Sequence, residues 1–178
     1  MATGALDVNG IWQYGEDDSE TTFSALLNKL GTSISSDMKG RILQVVSSTT
    51  ATGVINSTTT YVDTGLTATI TPKKSSSKII VLVNQNGLQK SADNSYNAIW
   101  LQLVKNGTSS HIFGWAAGLT LTATNLYLGG ISTSLVDTHG VTTPITYKTQ
   151  FRNEGNFASV TVNGGGSRST MILIEVSA

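Results

Sequence analysis

Lys78-Ile79-Ile80-Val81-Leu82-Val83-Asn84-Gln85-Asn86 is the stretch on which the fold turns. Its apolar run is too short for a helix of ordinary length and is rich in β-branched residues, so it reads as a strand. Side chains alternate between the faces of a strand. Ile79, Val81 and Val83 therefore point one way, and Ile80 and Leu82 the other. Two further stretches share this character. Ile99, Leu101 and Leu103 oppose Ala98, Trp100 and Val104, and Met171 and Leu173 oppose Ile172, Ile174 and Val176. A sandwich strand ordinarily buries one face and wets the other. Covering both faces calls for crossover helices or neighbouring subunits. No pattern for crossover helices exists here, so the expectation is an oligomer whose sheets face one another around an axis.

On either side of this stretch and including it, strands are predicted at Arg41–Ser48, Thr59–Asp63, Leu66–Thr71, Lys78–Asn86, Asn97–Lys105, Ser109–Ala117, Thr124–Leu135, Pro144–Asn153, Phe157–Val162 and Ser169–Ser177. Asn106-Gly107 between two apolar runs is the signature of a two-residue type I′ hairpin. Gly155-Asn156 and Asn163-Gly164-Gly165-Gly166 mark further tight connections. About ten short strands at this spacing predict an all-β fold, an antiparallel β-sandwich or jelly roll.

The first 38 residues differ. Asp7, Glu16, Asp17, Asp18, Glu20 and Asp37 stand there against Lys29 alone, whereas residues 39–178 have an excess of bases. A domain boundary is expected at this shift, between an amino-terminal segment with a short helix over 1–38 and a β-rich domain over 39–178. Asp17 and Glu20 fit a capping box at a helix start. Phe23, Leu27, Leu30 and Ile34 recur at spacings of 4, 3 and 4. That is a two-turn seam, too short to be stable alone. Such a helix either packs on its own domain or associates with copies of itself.

Composition narrows the function classes. Charged residues make up 12% of the 178 and the formal net charge is zero. With Lys and Arg scattered, nucleic acid is not an expected partner. There is no cysteine, so neither disulfides nor a thiolate metal site can form. No secretory signal is read at the start, and the longest apolar run is far too short to span a bilayer. Synthesis in a cytoplasm without membrane insertion is the expectation. Asn56-Ser57-Thr58 and Asn106-Gly107-Thr108 match glycosylation acceptors but carry little meaning in that setting.

Catalytic patterns are weak. His111 and His139 are the only histidines. Asp137, His139 and a serine are conceivable as a triad, but no nucleophile elbow fixes it. The two histidines lack metal-ligand spacing. Glu16, Asp17 and Asp18 form no full calcium loop. Gly164-Gly165-Gly166-Ser167 lacks the lysine and helix of a phosphate loop. The five acids of residues 39–178, Asp63, Asp93, Asp137, Glu154 and Glu175, suggest no glycosidase pair. No enzyme activity, cofactor or metal is expected.

Four segments carry a resemblance: Gly40 to Ser48 (GRILQVVSS), Tyr61 to Pro72 (YVDTGLTATITP), Ser77 to Gly87 (SKIIVLVNQNG) and Thr146 to Phe151 (TYKTQF). Residues 40–178 resemble the carboxy-terminal domains of bacteriophage fibre and tail-associated proteins. The segment from Leu6 to Asp18 (LDVNGIWQYGEDD) is similar to amino-terminal segments of such virion proteins, which dock the fibre on the particle. The resemblance implies a homotrimer with a jelly-roll knob akin to the tumour-necrosis-factor-like fold. With no repetitive shaft, it implies a short appendage or an adaptor. Ile11, Trp12 and Tyr14 become candidate docking residues toward another virion protein through residues 1–22. Phe23, Leu27, Leu30 and Ile34 become the candidate trimer seam.

The alternative is a receptor- or carbohydrate-binding adhesin acting in host attachment. Its contact loops would be residues 87–94, 118–124, 136–143 and 153–156. An exposed ring beside amides suits a host surface glycan, because the ring stacks on the sugar while amides bond its hydroxyls. Tyr96 with Asn94 and Asn97 fits that pattern. Trp100 and Trp115 lie inside strands and read as core.

Overall fold

The computed structural model describes residues 5–6, 12–13, 25, 27–31 and 42–178. The chain divides into two compact units, Met1–Arg41 and Ile42–Ala178.

In the first unit, β1 (Ala5–Leu6) pairs antiparallel with β2 (Trp12–Gln13), with Leu6 opposite Trp12. Residues 27–31 are helical, and Leu27 and Leu30 are both exposed in the single chain. Ile11, Tyr14, Phe23 and Ile34 lie outside the described residues.

The second unit contains β3 (Ile42–Thr50), β4 (Val54–Asn56), β5 (Val62–Ile70), β6 (Lys78–Lys90), β7 (Ile99–Lys105), β8 (Thr108–Ala117), β9 (Leu126–Asp137), β10 (Ile145–Asn153), β11 (Val160–Val162) and β12 (Ser169–Val176). One sheet runs β3-β12-β6, with β9 on the far edge of β6 and β11-β4 continuing beside the end of β6. The other runs β5-β10-β7-β8. Every pairing is antiparallel. The chain crosses repeatedly between the two sheets, as in a jelly roll.

Several predicted elements change in detail. Thr59–Asp63 and Leu66–Thr71 are not two strands but a single β5, with Gly65 at φ 85° taking up an irregularity opposite Lys148 and Gln150. The three-residue β4 has no pattern of its own to reveal it. Strand β11 starts at Val160, leaving Phe157 on the surface. The hairpin between β7 and β8 forms as expected, with φ 47° at Asn106 and 84° at Gly107. The Thr146 N–H donates to Asn106 Oδ1 at 2.9 Å, and Asn106 N–H donates back to the Thr146 carbonyl at 2.9 Å, pinning the turn to β10.

The core has two apolar halves. One gathers Leu66, Ile70, Ile79, Val81, Leu103, Ile145, Tyr147, Met171 and Leu173. The other gathers Leu88, Ile99, Leu101, Phe151, Val160 and Val162. Between them lies a polar layer to which β5, β6, β10 and β12 each contribute one inward residue: Thr64, Gln85, Thr149 and Ser169, all 0% exposed. Gln85 Nε2 donates to Asn163 Oδ1 (2.8 Å) and Ser169 Oγ (2.9 Å), and Gln85 Oε1 accepts from Thr149 Oγ1 (2.9 Å). Asn163 Nδ2 donates to the Thr52 and Thr64 carbonyls, both at 2.9 Å. Burial of so many polar groups is tolerable because each is paired.

Candidate functional site

The doubly apolar strands resolve into an inner and an outer face. Ile79, Val81, Met171 and Leu173 are buried between the sheets. Their neighbours point outward and line up across four strands. Val45, Ile174, Ile80 and Val136 form one row in direct register, and Ser47, Ile172, Leu82 and Ser134 form the next. Val45, Leu82 and Val136 are exposed, and Ile80, Ile172 and Ile174 are half-buried. A shallow depression lined by Leu82, Asn84, Ser132, Ser134, Thr170 and Ile172 adjoins the rows. Rows on one face of a strand stand about 7 Å apart, so these side chains make one apolar band on the outside of the sandwich. Contiguous apolar surface of this kind marks an interaction face more often than scattered residues do.

The outer face of the other sheet is built differently. Here Trp100 on β7 sits opposite Arg152 on β10, and the Arg152 guanidinium lies 4.1 Å from the Trp100 ring centroid and 5.5 Å from that of Tyr61. Trp115 on β8 meets Trp100 edge to face, centroids 5.8 Å apart. The Trp100 indole N–H donates to the Glu154 carboxylate. In the next row, Gln102 Nε2 donates to Gln150 Oε1 (2.9 Å), and Gln150 Nε2 donates to Asp63 Oδ1 (2.7 Å). Lys148 Nζ pairs with Asp63 at 2.8 Å, and that partner holds the Asp63 carboxyl below its ordinary range.

Trp115 is 74% exposed, not core. The register explains it. From Gln102 opposite Ile112, regular pairing would set Trp115 across from inward-facing Ile99. An extra residue at Phe113 instead places Gly114 across from Leu101, and Trp115 swings to the outer face beside Trp100. A one-residue slip exchanges the faces of a strand. Gly114 is suited to the position, because a Cβ there would stand 3.0 Å from the Leu101 Cβ. A second irregularity follows at Ala116, whose φ of 49° is rare for a residue with a side chain.

The glycan-contact candidates do not form one surface. Tyr96 is 58% exposed, and its N–H donates to Asn94 Oδ1 at 2.8 Å in a local turn. Asn97 is 1% exposed, and its amide donates to the Ser159 carbonyl at 2.6 Å, tying the loop after β6 to the segment before β11. Residues 87–90 of the first proposed contact loop belong to β6.

The histidine constellation has a definite geometry. His139 Nε2 lies 3.2 Å from Ser77 Oγ. No carboxylate orients this histidine, since its Nδ1 accepts the Val141 N–H at 3.2 Å. The Val141 N–H thus occupies the ring nitrogen that a triad would direct at a carboxylate. Asp137 bonds the Tyr147 hydroxyl and Lys105 Nζ instead. Burial, reinforced by Asp137, pushes the Tyr147 hydroxyl well above its ordinary pKa.

Ser77 Oγ donates to Glu175 Oε1 at 2.5 Å. Glu175 is 0% exposed and also accepts from Gln44 Nε2 (2.6 Å) and the backbone N–H groups of Lys73 (2.8 Å) and Lys74 (3.2 Å). Burial raises its pKa, but the combined donors outweigh burial and hold it below the ordinary carboxylate value. The group staples β12 to the connection between β5 and β6. Among the described residues no cluster of three or more metal-ligating side chains occurs, and no helix is long and apolar enough to cross a membrane.

No family model and no curated protein matches the chain. Among solved structures, the infectious bursal disease virus VP2 subviral particle is similar at 17% identity with a TM-score of 0.40. The match covers 76% of this chain and 38% of that one, so the chain spans well under half of the VP2 length. A likeness this slight carries no role across. The fold assignment stands on strand order and register.

Proposed function

We propose that the chain is a non-enzymatic structural component of a phage virion, a short trimeric fibre or knob docked through its amino-terminal segment. The observation that carries this reading is the outer apolar band of Val45, Ile174, Ile80, Val136, Ile172 and Leu82. A sandwich that closes its own core between two sheets has no folding reason to place six aliphatic side chains in register on the outside. Burying a fully exposed aliphatic side chain is worth about 1.5–3 kcal/mol; these six, already partly covered, each gain the remaining fraction of it when copies of the same chain pack around an axis. The trimeric number rests on the resemblance to fibre knobs and on the Phe23, Leu27, Leu30, Ile34 spacing. Docking on the particle rests on residues 1–22.

The experiment has two arms. Sedimentation equilibrium on the whole chain should return three protomers, and Ile80→Asp should return one folded protomer. Deleting residues 1–22 should leave a trimer that no longer joins particles. Incorporation at normal copy number after the deletion would refute docking by that segment.

A further inference from the structure

We infer that the aromatic row on the outer face of the β5-β10-β7-β8 sheet is a binding platform for a carboxylated saccharide, with Trp115 as the stacking surface and Arg152 as the anion contact. This goes beyond the structural role and uses the opposite sheet from the apolar band.

The register is the first reason. Two irregularities, at Phe113 and at Ala116, flank Trp115, and together they leave a large ring 74% exposed where regular pairing would direct it inward. Irregularities that re-aim one side chain, and left-handed backbone at a non-glycine residue, cluster at binding sites. The edge-to-face contact with Trp100 fixes the ring orientation before any ligand arrives.

The second reason is charge. Arg152 is held over Trp100 and near Tyr61, and among the described residues its Nη1 donates only to the neighbouring Asn153 carbonyl, at 2.9 Å. Among the described residues it makes no ion pair, whereas Lys105 and Lys148 each have a carboxylate partner. A stacked guanidinium is pre-oriented and suits a planar carboxylate better than an ammonium does.

The third reason is the amide row. Gln102 is only 8% exposed and is spent on Gln150 and Ser109, so it serves to hold Gln150, the half-buried amide of the row, in place. Gln150 lies one row, about 7 Å, from the Trp100–Arg152 row. An apolar sugar face on Trp115, a hydroxyl toward Gln150 and a carboxylate on Arg152 use all three features. A neutral apolar ligand leaves the arginine unused, and a simple inorganic anion leaves the tryptophan unused.

The test is isothermal titration calorimetry of the whole chain with trigalacturonate and with sialyllactose, each beside its neutral counterpart, trigalactose and lactose. At least one acid should bind about tenfold more tightly than its neutral counterpart, the usual scale of a charge-assisted pair. Arg152→Gln should erase that preference while neutral binding persists. Trp115→Ala should abolish binding of both, and Trp115→Tyr should restore part of it. Sedimentation and thermal melting should be unchanged in all three variants, since neither side chain fills the core. Equal affinity for acid and neutral forms, no binding of either acid up to about 10 mM, or undiminished binding by Trp115→Ala would overturn the assignment. Loss of the oligomer in Trp115→Ala would make the patch a subunit contact and also overturn it. A wild-type chain that binds the acid as a monomer would keep this platform and remove the trimer.

Discussion

Glu175→Gln removes one charge from the centre of four donors and changes little else in size. Three donors, Ser77 Oγ and the Lys73 and Lys74 N–H groups, converge on Oε1, while Gln44 Nε2 addresses Oε2. A glutamine carbonyl can keep the first three as neutral hydrogen bonds. Its amide then confronts the Gln44 amide, which cannot flip without losing its 2.7 Å bond to the Thr71 carbonyl. Bonds to charged groups contribute about 1.5–3 kcal/mol and neutral ones about 0.5–1.5. Relief of the buried charge offsets part of the loss, so about 2–3 kcal/mol is expected at pH 7. At this chain length that lowers Tm by about 4–12 °C. The sign with pH follows from the lowered carboxyl pKa. The contribution is complete above the unfolded value of about 4.3 and is lost as pH falls through the lower folded value. Thermal melts of both proteins at one fixed concentration should therefore separate at pH 7 and converge as the wild type is protonated. Equal melting at pH 7, or a gap that stays constant to low pH, would refute the reasoning.

Leu101→Ala empties a site that is 0% exposed and should cost about 3–5 kcal/mol by chemical denaturation. Leu82→Ala, on the outer band at 36% exposure, should lower Tm more at low protein concentration than at high, which dilution-series melts would detect. Gln85→Leu leaves Asn163 Oδ1, Ser169 and Thr149 short of a partner and should cost about 2–4 kcal/mol, read from urea midpoints. Gly87→Ala should abolish folding or cost more than about 3 kcal/mol, because Gly87 has φ 63° and a Cβ would stand 2.5 Å from the Gly164 nitrogen. Soluble expression and circular dichroism decide it.

Much of the fold was legible because the residues state it locally. Asn106-Gly107 names its own turn, and the apolar alternation of Ile79 to Val83 names both strand and faces. Reading stopped where register intervenes. The Thr64-Gly65 pair looks like a break between strands, yet β5 runs through it, because its partner β10 accommodates the irregularity. Trp115 reads as core because aromatic residues inside strands are mostly buried, and the extra residue at Phe113 turns it outward only once β7 is alongside. Gly114 between Phe113 and Trp115 was the available signal, since an isolated glycine within a strand pattern marks a bulge. Asn97 reads as a companion to Tyr96, but the turn over residues 94–97 leaves Tyr96 exposed and turns Asn97 inward.

Sedimentation equilibrium of the whole chain at micromolar concentration, run beside Ile80→Asp, tests most directly whether copies associate through the outer band. Three protomers for the wild type and one folded protomer for the variant are the predicted result, since an aspartate at Ile80 would sit uncompensated in the middle of the Val45–Ile174–Ile80–Val136 row. A wild-type chain that stays monomeric and folded, or an Ile80→Asp chain that remains a trimer, would contradict it.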